Sequence, residues 1–194
     1  ESVSPMIVSE TANSTEYPAL EADIPVITSE GKSNVKIAGV KSKNKLVRYT
    51  IPETLLRADE NFLALMVEAE KYIGYPYVYG GSKPSTGFDC SGFVCWVFRQ
   101  SGVYDTGRLG AKGLYSLCTD VSRDEARPGD LVFFTKTMGA DVKGITHVGI
   151  YVGNNMMLHA GDPVGFADLQ SDKWAKKIYA FGRLPVQQGA QADE

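Results

Sequence analysis

Residues 87–98 read GFDCSGFVCWVF. Phe93, Val94, Val97 and Phe98 stand three, four, seven and eight residues after Cys90, which makes one apolar face at helical period. The spacing predicts a helix from Cys90 to about Ser101, stopped by Gly102 and N-capped by Asp89. Cys90 then occupies the first turn, on the stripe that packs inward. A thiol there feels the positive end of the helix dipole and the free backbone N–H groups, which lower a cysteine pKa from roughly 8.5. The same N–H groups can hold the oxyanion of a tetrahedral intermediate. Cys95 and Cys118 lack this setting and read as small buried hydrophobes.

Outward from this helix the chain reads as a packed domain. Ala58–Ile73 predicts an earlier helix with Phe62, Leu65, Met66, Ala69 and Ile73 toward the core, ended by Gly74 and Pro76. A loop dense in glycine and aromatics, Tyr75 to Phe88, leads into Cys90, and a short helix is expected around Ala111–Cys118. Past the turn Arg127-Pro128-Gly129-Asp130 the pattern changes to strands at Leu131–Lys136, Thr146–Val152, Met156–Ala160 and Ile178–Leu184. Helices followed by antiparallel strands imply an α+β domain.

A thiol nucleophile needs a base, and the chain has two histidines, His147 and His159. On the strand Thr146–Val152, His147 shares a face with Gly149 and Tyr151, opposite Val148, Ile150 and Val152. That puts His147 toward a cleft rather than the core. The hairpin between the two strands then decides the relation of the histidines. A two-residue turn at 153–154 would set residue 148 opposite 159 and turn the rings to opposite faces. A three-residue loop, Gly153-Asn154-Asn155, would set residue 149 opposite 159 and make the histidines diagonal neighbours about 5–8 Å apart. The expectation is an odd-length loop and a His159 that orients His147. Asn154, Asn155 and Asp162 are the replacements should the rings diverge.

The bulk numbers fit one domain plus an extension. The 194 residues are 43% hydrophobic and 22% charged, with a formal net charge of -3, so the total does not point to nucleic acid. Apolar runs such as Leu131 to Phe134 are too short to span a bilayer. Three cysteines argue against a disulfide framework, and no metal-ligand spacing is evident, so neither metal nor cofactor is expected. Residues 1–34 hold six acids and one base, whereas 35–48 hold five bases and no acid. Residues 1–50 therefore read as a linker-like extension with short strands at Met6–Val8 and Pro25–Thr28, residues 51–187 as the domain and 188–194 as a disordered tail. The basic stretch reads as a solvated linker, with contact to polyanionic wall polymers as the sharper alternative. No basic or apolar leader follows Glu1.

Taken together, Tyr79-Gly80-Gly81, Asp89-Cys90-Ser91-Gly92-Phe93-Val94, Arg127-Pro128-Gly129-Asp130-Leu131-Val132-Phe133-Phe134, His147-Val148-Gly149-Ile150-Tyr151-Val152-Gly153 and the later His159 resemble the NlpC/p60 superfamily of papain-like cell-wall cysteine endopeptidases. The resemblance covers roughly Ala58 to Pro185. It implies a reduced papain-like fold, with the nucleophile's helix packed on an antiparallel sheet. It also implies hydrolysis of peptidoglycan stem peptides between D-γ-glutamate and diaminopimelate or lysine. By this resemblance Cys90 is the nucleophile, His147 the base and His159 the third residue. Tyr79 is similar to a family tyrosine near the nucleophile. Asp89 and Ser91 match positions that help hold the stem peptide, in many members through a free N-terminal amine. Asp130 is assigned to the turn. The implied partner is peptidoglycan, with no nucleic acid and no membrane segment. The expected location is the cell wall outside the cell, and the expected state a monomer. The wording of the motifs is similar to a subgroup at the C-termini of conjugative-element and phage proteins of Gram-positive bacteria. Competing readings are an N-acetylmuramoyl-L-alanine amidase, a papain-like protease acting on proteins, and an inactive wall-binding module.

Overall fold

The computed structural model describes residues 27–186. The expected strand Met6–Val8 and the tail 188–194 lie outside the described residues. Four short strands come first: β1 (Ile27–Lys32), β2 (Lys36–Ile37), β3 (Val40–Lys41) and β4 (Lys45–Tyr49). The turn of the β2–β3 hairpin is Ala38-Gly39, with φ of 47° and 81°. The helices α1 (Glu53–Leu56) and α2 (Glu60–Ala69) follow, then the pair β5 (Ser82–Lys83) and β6 (Gly87–Phe88), α3 (Cys90–Gln100) and α4 (Ala111–Leu117). The chain ends in β7 (Thr119–Val121), β8 (Leu131–Thr135), β9 (Ile145–Gly153), β10 (Met156–Ala160), β11 (Val164–Asp168) and β12 (Ile178–Arg183).

The last six strands form one antiparallel sheet in the order β11-β10-β9-β8-β12-β7. The helix and strand expectations match closely in α2, α3, α4, β8, β9, β10 and β12. The strands β5, β6 and β7 have two or three residues, too few to show period two, and they and the five-residue β11 are additions. Asp59 caps α2 by accepting from the Phe62 N–H at 3.0 Å, and Asp89 caps α3 by accepting from the Gly92 N–H at 2.7 Å.

The alternation of the strands splits the apolar residues between two layers. On one face Leu131, Phe133, Val148, Ile150, Val152 and Leu158 pack against Phe62, Leu65, Phe93, Val94 and Val97 of α2 and α3. On the other face Val132, Phe134, Met157 and Phe181 pack with Leu169 and Trp174 from the β11–β12 connection. α3 is thus sandwiched more completely than a single stripe predicts, and Ser91, Gly92 and Cys95 are buried with the apolar face.

The linker-like reading of 1–50 needs correction over its described part. Leu46 and Tyr49 of β4 are buried, and the Tyr49 ring meets Phe166 of β11 edge-on at 5.6 Å. A side chain at Gly165 would have its Cβ 2.8 Å from the Val47 carbonyl, so β4 approaches β11 as close as backbone allows. The Ser33 hydroxyl donates to the Gly74 carbonyl at 2.7 Å, and the Lys43 N–H donates to Asp162 at 3.1 Å. The charged composition concealed this packing because Lys36, Lys41, Lys43, Lys45 and Arg48 all point outward while alternate residues carry the contact.

Candidate active site

The N-terminus of α3 is held against the loop that precedes it. The Asp89 N–H donates to the Gly81 carbonyl at 2.9 Å. A Cβ on Gly92 would lie 2.0 Å from the Gly81 carbonyl oxygen, and one on Gly81 would lie 2.3 Å from that of Gly87. Only glycine permits this approach, which explains Gly81 and the Gly92 inside the first helical turn, while Gly80 is favoured by its φ of 75°. The consequence is a fixed position for Cys90, which is 8% exposed.

The thiol lies among backbone N–H groups of Val148, Ser91 and Cys90 itself, all of which favour its ionised form. Burial outweighs them, with the Asp89 charge adding to it, and the pKa of Cys90 is pushed up from its ordinary value. This corrects the expectation of a depressed pKa. The helix terminus acts in the expected direction, but desolvation of a thiolate in this setting is the larger effect. Contact with the Val148 N–H also places the sulfur beside the residue that follows His147.

The two histidines come together on one face of the sheet. Nε2 of His147 lies 2.8 Å from Nδ1 of His159, with ring centroids 5.0 Å apart and planes at 83°. His159 takes the register that a three-residue loop would give, but the expected odd-length loop is not found. Asn154 and Asn155 form a two-residue turn with φ of 50° and 57°, and Gly153 pairs with Met156. A bulge at Val152 then shifts the ladder so that Met157 pairs with Tyr151 and Leu158 with Ile150. Continuing it sets His159 across from Gly149, where a Cβ would stand 3.2 Å from the His159 Cβ. Neither Asn154 nor Asn155 is needed as a substitute orienting group, and Asp162 instead accepts from the N–H groups of Tyr77 and Lys43.

The histidine face is not the open cleft expected from alternation. His147 and His159 are 8% and 7% exposed, respectively. Trp174 stacks on His147 at 5.3 Å and 26°, and meets His159 edge-on at 5.2 Å. Burial pushes the pKa of His147 down to about 4, helped by the Lys173 charge. It pushes His159 well below its ordinary value, with the charges of His147 and Lys173 adding to the effect. Both rings are therefore neutral at pH 7, and so is the thiol.

The substrate residues inferred from resemblance separate in space. Asp89 and Ser91 flank Cys90 and are bonded to each other, the Ser91 hydroxyl donating to Asp89 at 3.2 Å. Tyr79 is 81% exposed, and the tyrosine against the nucleophile is Tyr77. Its hydroxyl oxygen meets the Cys90 N–H, and burial together with the charges of Cys90 and Asp89 pushes its pKa up to about 12. Three tyrosines at alternate positions, 75, 77 and 79, gave no sequence signal to choose among them. Arg108 was also missed: it lies 17 residues beyond Ser91 and donates to Asp89 and Ser91. Trp174 sits in a connection with no periodic pattern. Asp130 has the structural place expected of it, 3% exposed, accepting from the Arg127 N–H and from the Arg183 guanidinium.

An apolar groove of about 370 Å³ lies elsewhere, between Leu55, Phe62, Leu65, Phe98, Pro128 and Leu184. It has no cysteine or histidine in its lining. Among the described residues no group of three or more His, Cys, Asp or Glu could hold a metal, and no helix is long and apolar enough to cross a membrane.

A helix carrying a cysteine in its first turn, packed on an antiparallel sheet that supplies a histidine pair, defines an α+β papain-like domain. The chain belongs to the NlpC/P60 family, whose model matches residues 74–183. It is 46% identical over 121 residues to the bifunctional muramidase/DL-endopeptidase CwlT of Bacillus subtilis (strain 168), covering 62% of this chain and 36% of that protein. It is 44% identical over 121 residues to the probable endopeptidase p60 of Listeria seeligeri, covering 62% of this chain and 22% of that protein. A solved NLP/P60-family structure from Staphylococcus aureus Mu50, described as similar to lipoprotein, superposes with a TM-score of 0.61 at 42% identity, over 65% of this chain and 42% of that chain. The chain thus spans between about a fifth and just over a third of the length of these curated relatives.

Proposed function

We propose that this chain is a cell-wall hydrolase that cuts the bond between D-γ-glutamate and the following diamino acid of peptidoglycan stem peptides, with Cys90 as nucleophile. The observation that carries the reading is the 2.8 Å contact between His147 Nε2 and His159 Nδ1, on a strand whose Val148 N–H meets the Cys90 sulfur. His159 engages one nitrogen of His147 and leaves Nδ1 for the thiol. In this mechanism the sulfur attacks the γ-amide carbonyl carbon while its proton passes to His147 Nδ1. In this reading the Tyr77 hydroxyl, whose oxygen meets the Cys90 N–H, donates to the oxyanion. Collapse breaks the C–N bond, His147 returns the proton to the leaving amine, and water activated by His147 hydrolyses the thioester. Starting from neutral partners, the proton moves with the attack rather than before it. The names of the relatives support the substrate class, and the activity belongs at the cell wall.

The test is mass spectrometry of L-Ala-γ-D-Glu-diamino acid-D-Ala peptides, with diaminopimelate or lysine, after incubation with wild type and Cys90→Ala. Release of the dipeptide L-Ala-γ-D-Glu by wild type alone is the expected result. Cleavage between muramic acid and L-Ala in wall digests would replace the endopeptidase by an amidase. No product from stems or wall would leave a wall-binding module.

A further inference from the structure

We infer that Asp162 is a positioning residue of the proposed reaction: it ties the backbone that carries Tyr77 to the N-terminal arm and so fixes the Tyr77 hydroxyl beside Cys90. The inference rests on the proposed function and adds a residue to the same site. The Asp162 carboxylate joins two segments that precede it by 85 and 119 residues. Oδ1 accepts from the Tyr77 N–H at 3.2 Å, and Oδ2 accepts from the Lys43 N–H at 3.1 Å. The residue before it, Gly161, lies against the histidine pair, where a Cβ would stand 3.0 Å from His159 Cε1 and 3.1 Å from Nε2. One short loop after β10 therefore touches the arm, the tyrosine segment and the third residue of the site.

The neighbouring bonds show what Asp162 adds. The Gly74 N–H donates to the Val164 carbonyl at 2.9 Å, and the Val164 N–H donates to the Tyr75 carbonyl at 2.8 Å. The Ser33 hydroxyl of the arm holds the Gly74 carbonyl at 2.7 Å. This backbone pairing reaches Tyr75, and the Asp162 side chain extends it to Tyr77. On its other flank Tyr77 bridges to Phe88, and the Val78 N–H donates to the Phe88 carbonyl at 2.9 Å. The hydroxyl of Tyr77 stands at the far end of its ring, so a small tilt of the backbone becomes a larger displacement beside Cys90. A carboxylate suits the junction because it has two acceptor oxygens and no donor, whereas an amide would turn its NH2 toward one of the two N–H groups.

The experiment measures kcat and KM for one stem peptide on wild type, Asp162→Ala, Asp162→Asn, Tyr77→Phe and the double variant of Asp162→Ala with Tyr77→Phe. Asp162→Ala is expected to lower kcat by roughly ten- to a hundredfold, as for a displaced group of the site, with KM little changed. Asp162→Asn keeps one acceptor and is expected to recover part of the loss. In the Tyr77→Phe background Asp162→Ala is expected to change kcat by less than about twofold, because the group that it positions is gone. A general loss of folded enzyme lowers both backgrounds alike, and thermal melting reads it separately. Should Asp162→Ala fail to fold, Asp162→Asn in the same two backgrounds reads the same coupling. Amide hydrogen exchange at Tyr77 and Lys43 is expected to quicken in Asp162→Ala. Wild-type kcat in Asp162→Ala, an equal fold-loss in both backgrounds, or unchanged exchange at Tyr77 would overturn the role of Asp162 and leave the proposed activity standing. No cleavage by wild type would remove the activity and this inference with it.

Discussion

His147 and His159 sit one diagonal apart on adjacent strands, and their rings share a hydrogen bond from Nε2 to Nδ1 of 2.8 Å. For His147 Nδ1 to accept a proton, its Nε2 must carry one, so His147 donates and His159 accepts. His159→Ala removes the acceptor and frees the tautomer. A fall in kcat/KM on the order of a hundredfold is expected, with His159→Asn recovering part of it through its carbonyl. Equal activity of wild type and His159→Ala on stem peptides would show that the second ring does not orient the first.

The neutral resting state of the site fixes its pH behaviour. His147 is a base with a folded-state pKa of about 4, so the acid limb of kcat/KM is expected near 4 rather than near the ordinary histidine value. The unfolded chain binds the proton first. Stability is thus full above about 6.5 and is lost as pH falls from there toward 4. Urea denaturation at a series of pH values reads this slope, and a pH–rate profile reads the limb.

Cys90 has a raised pKa, and its alkylation by iodoacetamide is expected to accelerate above the usual thiol range, in a titration with no plateau at neutral pH. A rate already at plateau by pH 6 would instead mean a resting thiolate–imidazolium pair. Cys118, with its pKa pushed up to about 12 by burial, is expected to stay unlabelled throughout.

Trp174 covers the histidine pair and keeps it dry. Trp174→Ala is expected to cost about 3–5 kcal/mol in stability, as for other buried aromatics. It should also admit water and move the His147 pKa upward toward the ordinary value. Histidine proton shifts in NMR across pH 3–8, about the range over which the ring titrates, would show the move.

Gly92→Ala is the sharpest test of the loop-to-helix contact. Its Cβ would fall 2.0 Å from the Gly81 carbonyl oxygen, so backbone must give way. A loss at or above the ~1–3 kcal/mol usual for overpacking is expected, together with loss of activity as Cys90 shifts. Thermal melting and stem-peptide cleavage measured on the same sample separate the two effects.

Much of this molecule was legible before folding. The period of 3.6 in α2 and α3, the alternation along β9, the short apolar runs of β8 and β10, and the cap at Asp89 are local preferences that agree with the final packing. The histidine register was legible only as a parity. Whether a two-residue turn with a bulge or a three-residue loop supplies the odd count depends on φ at Asn154 and Asn155, which asparagine tolerates either way. The arm 27–49 was misread because composition reports charge and not burial. Its lysines are exposed, yet Leu46 and Tyr49 between them close the core against β11.

The amino-acid order alone determined the α+β class, the family resemblance and the presence of one thiol at a helix start with two histidines downstream, because these follow from local spacing. Tertiary structure decided the rest. The direction of the Cys90 and His147 pKa values depends on how much water remains around them, and Trp174 and α3 remove most of it. The choice of Tyr77 over Tyr79, and the closing of Asp89 by Arg108, arise from the loops before and after α3, which meet its first turn only in the packed molecule. Desolvation and long-range pairing are properties of the packed molecule, and no window of sequence contains them.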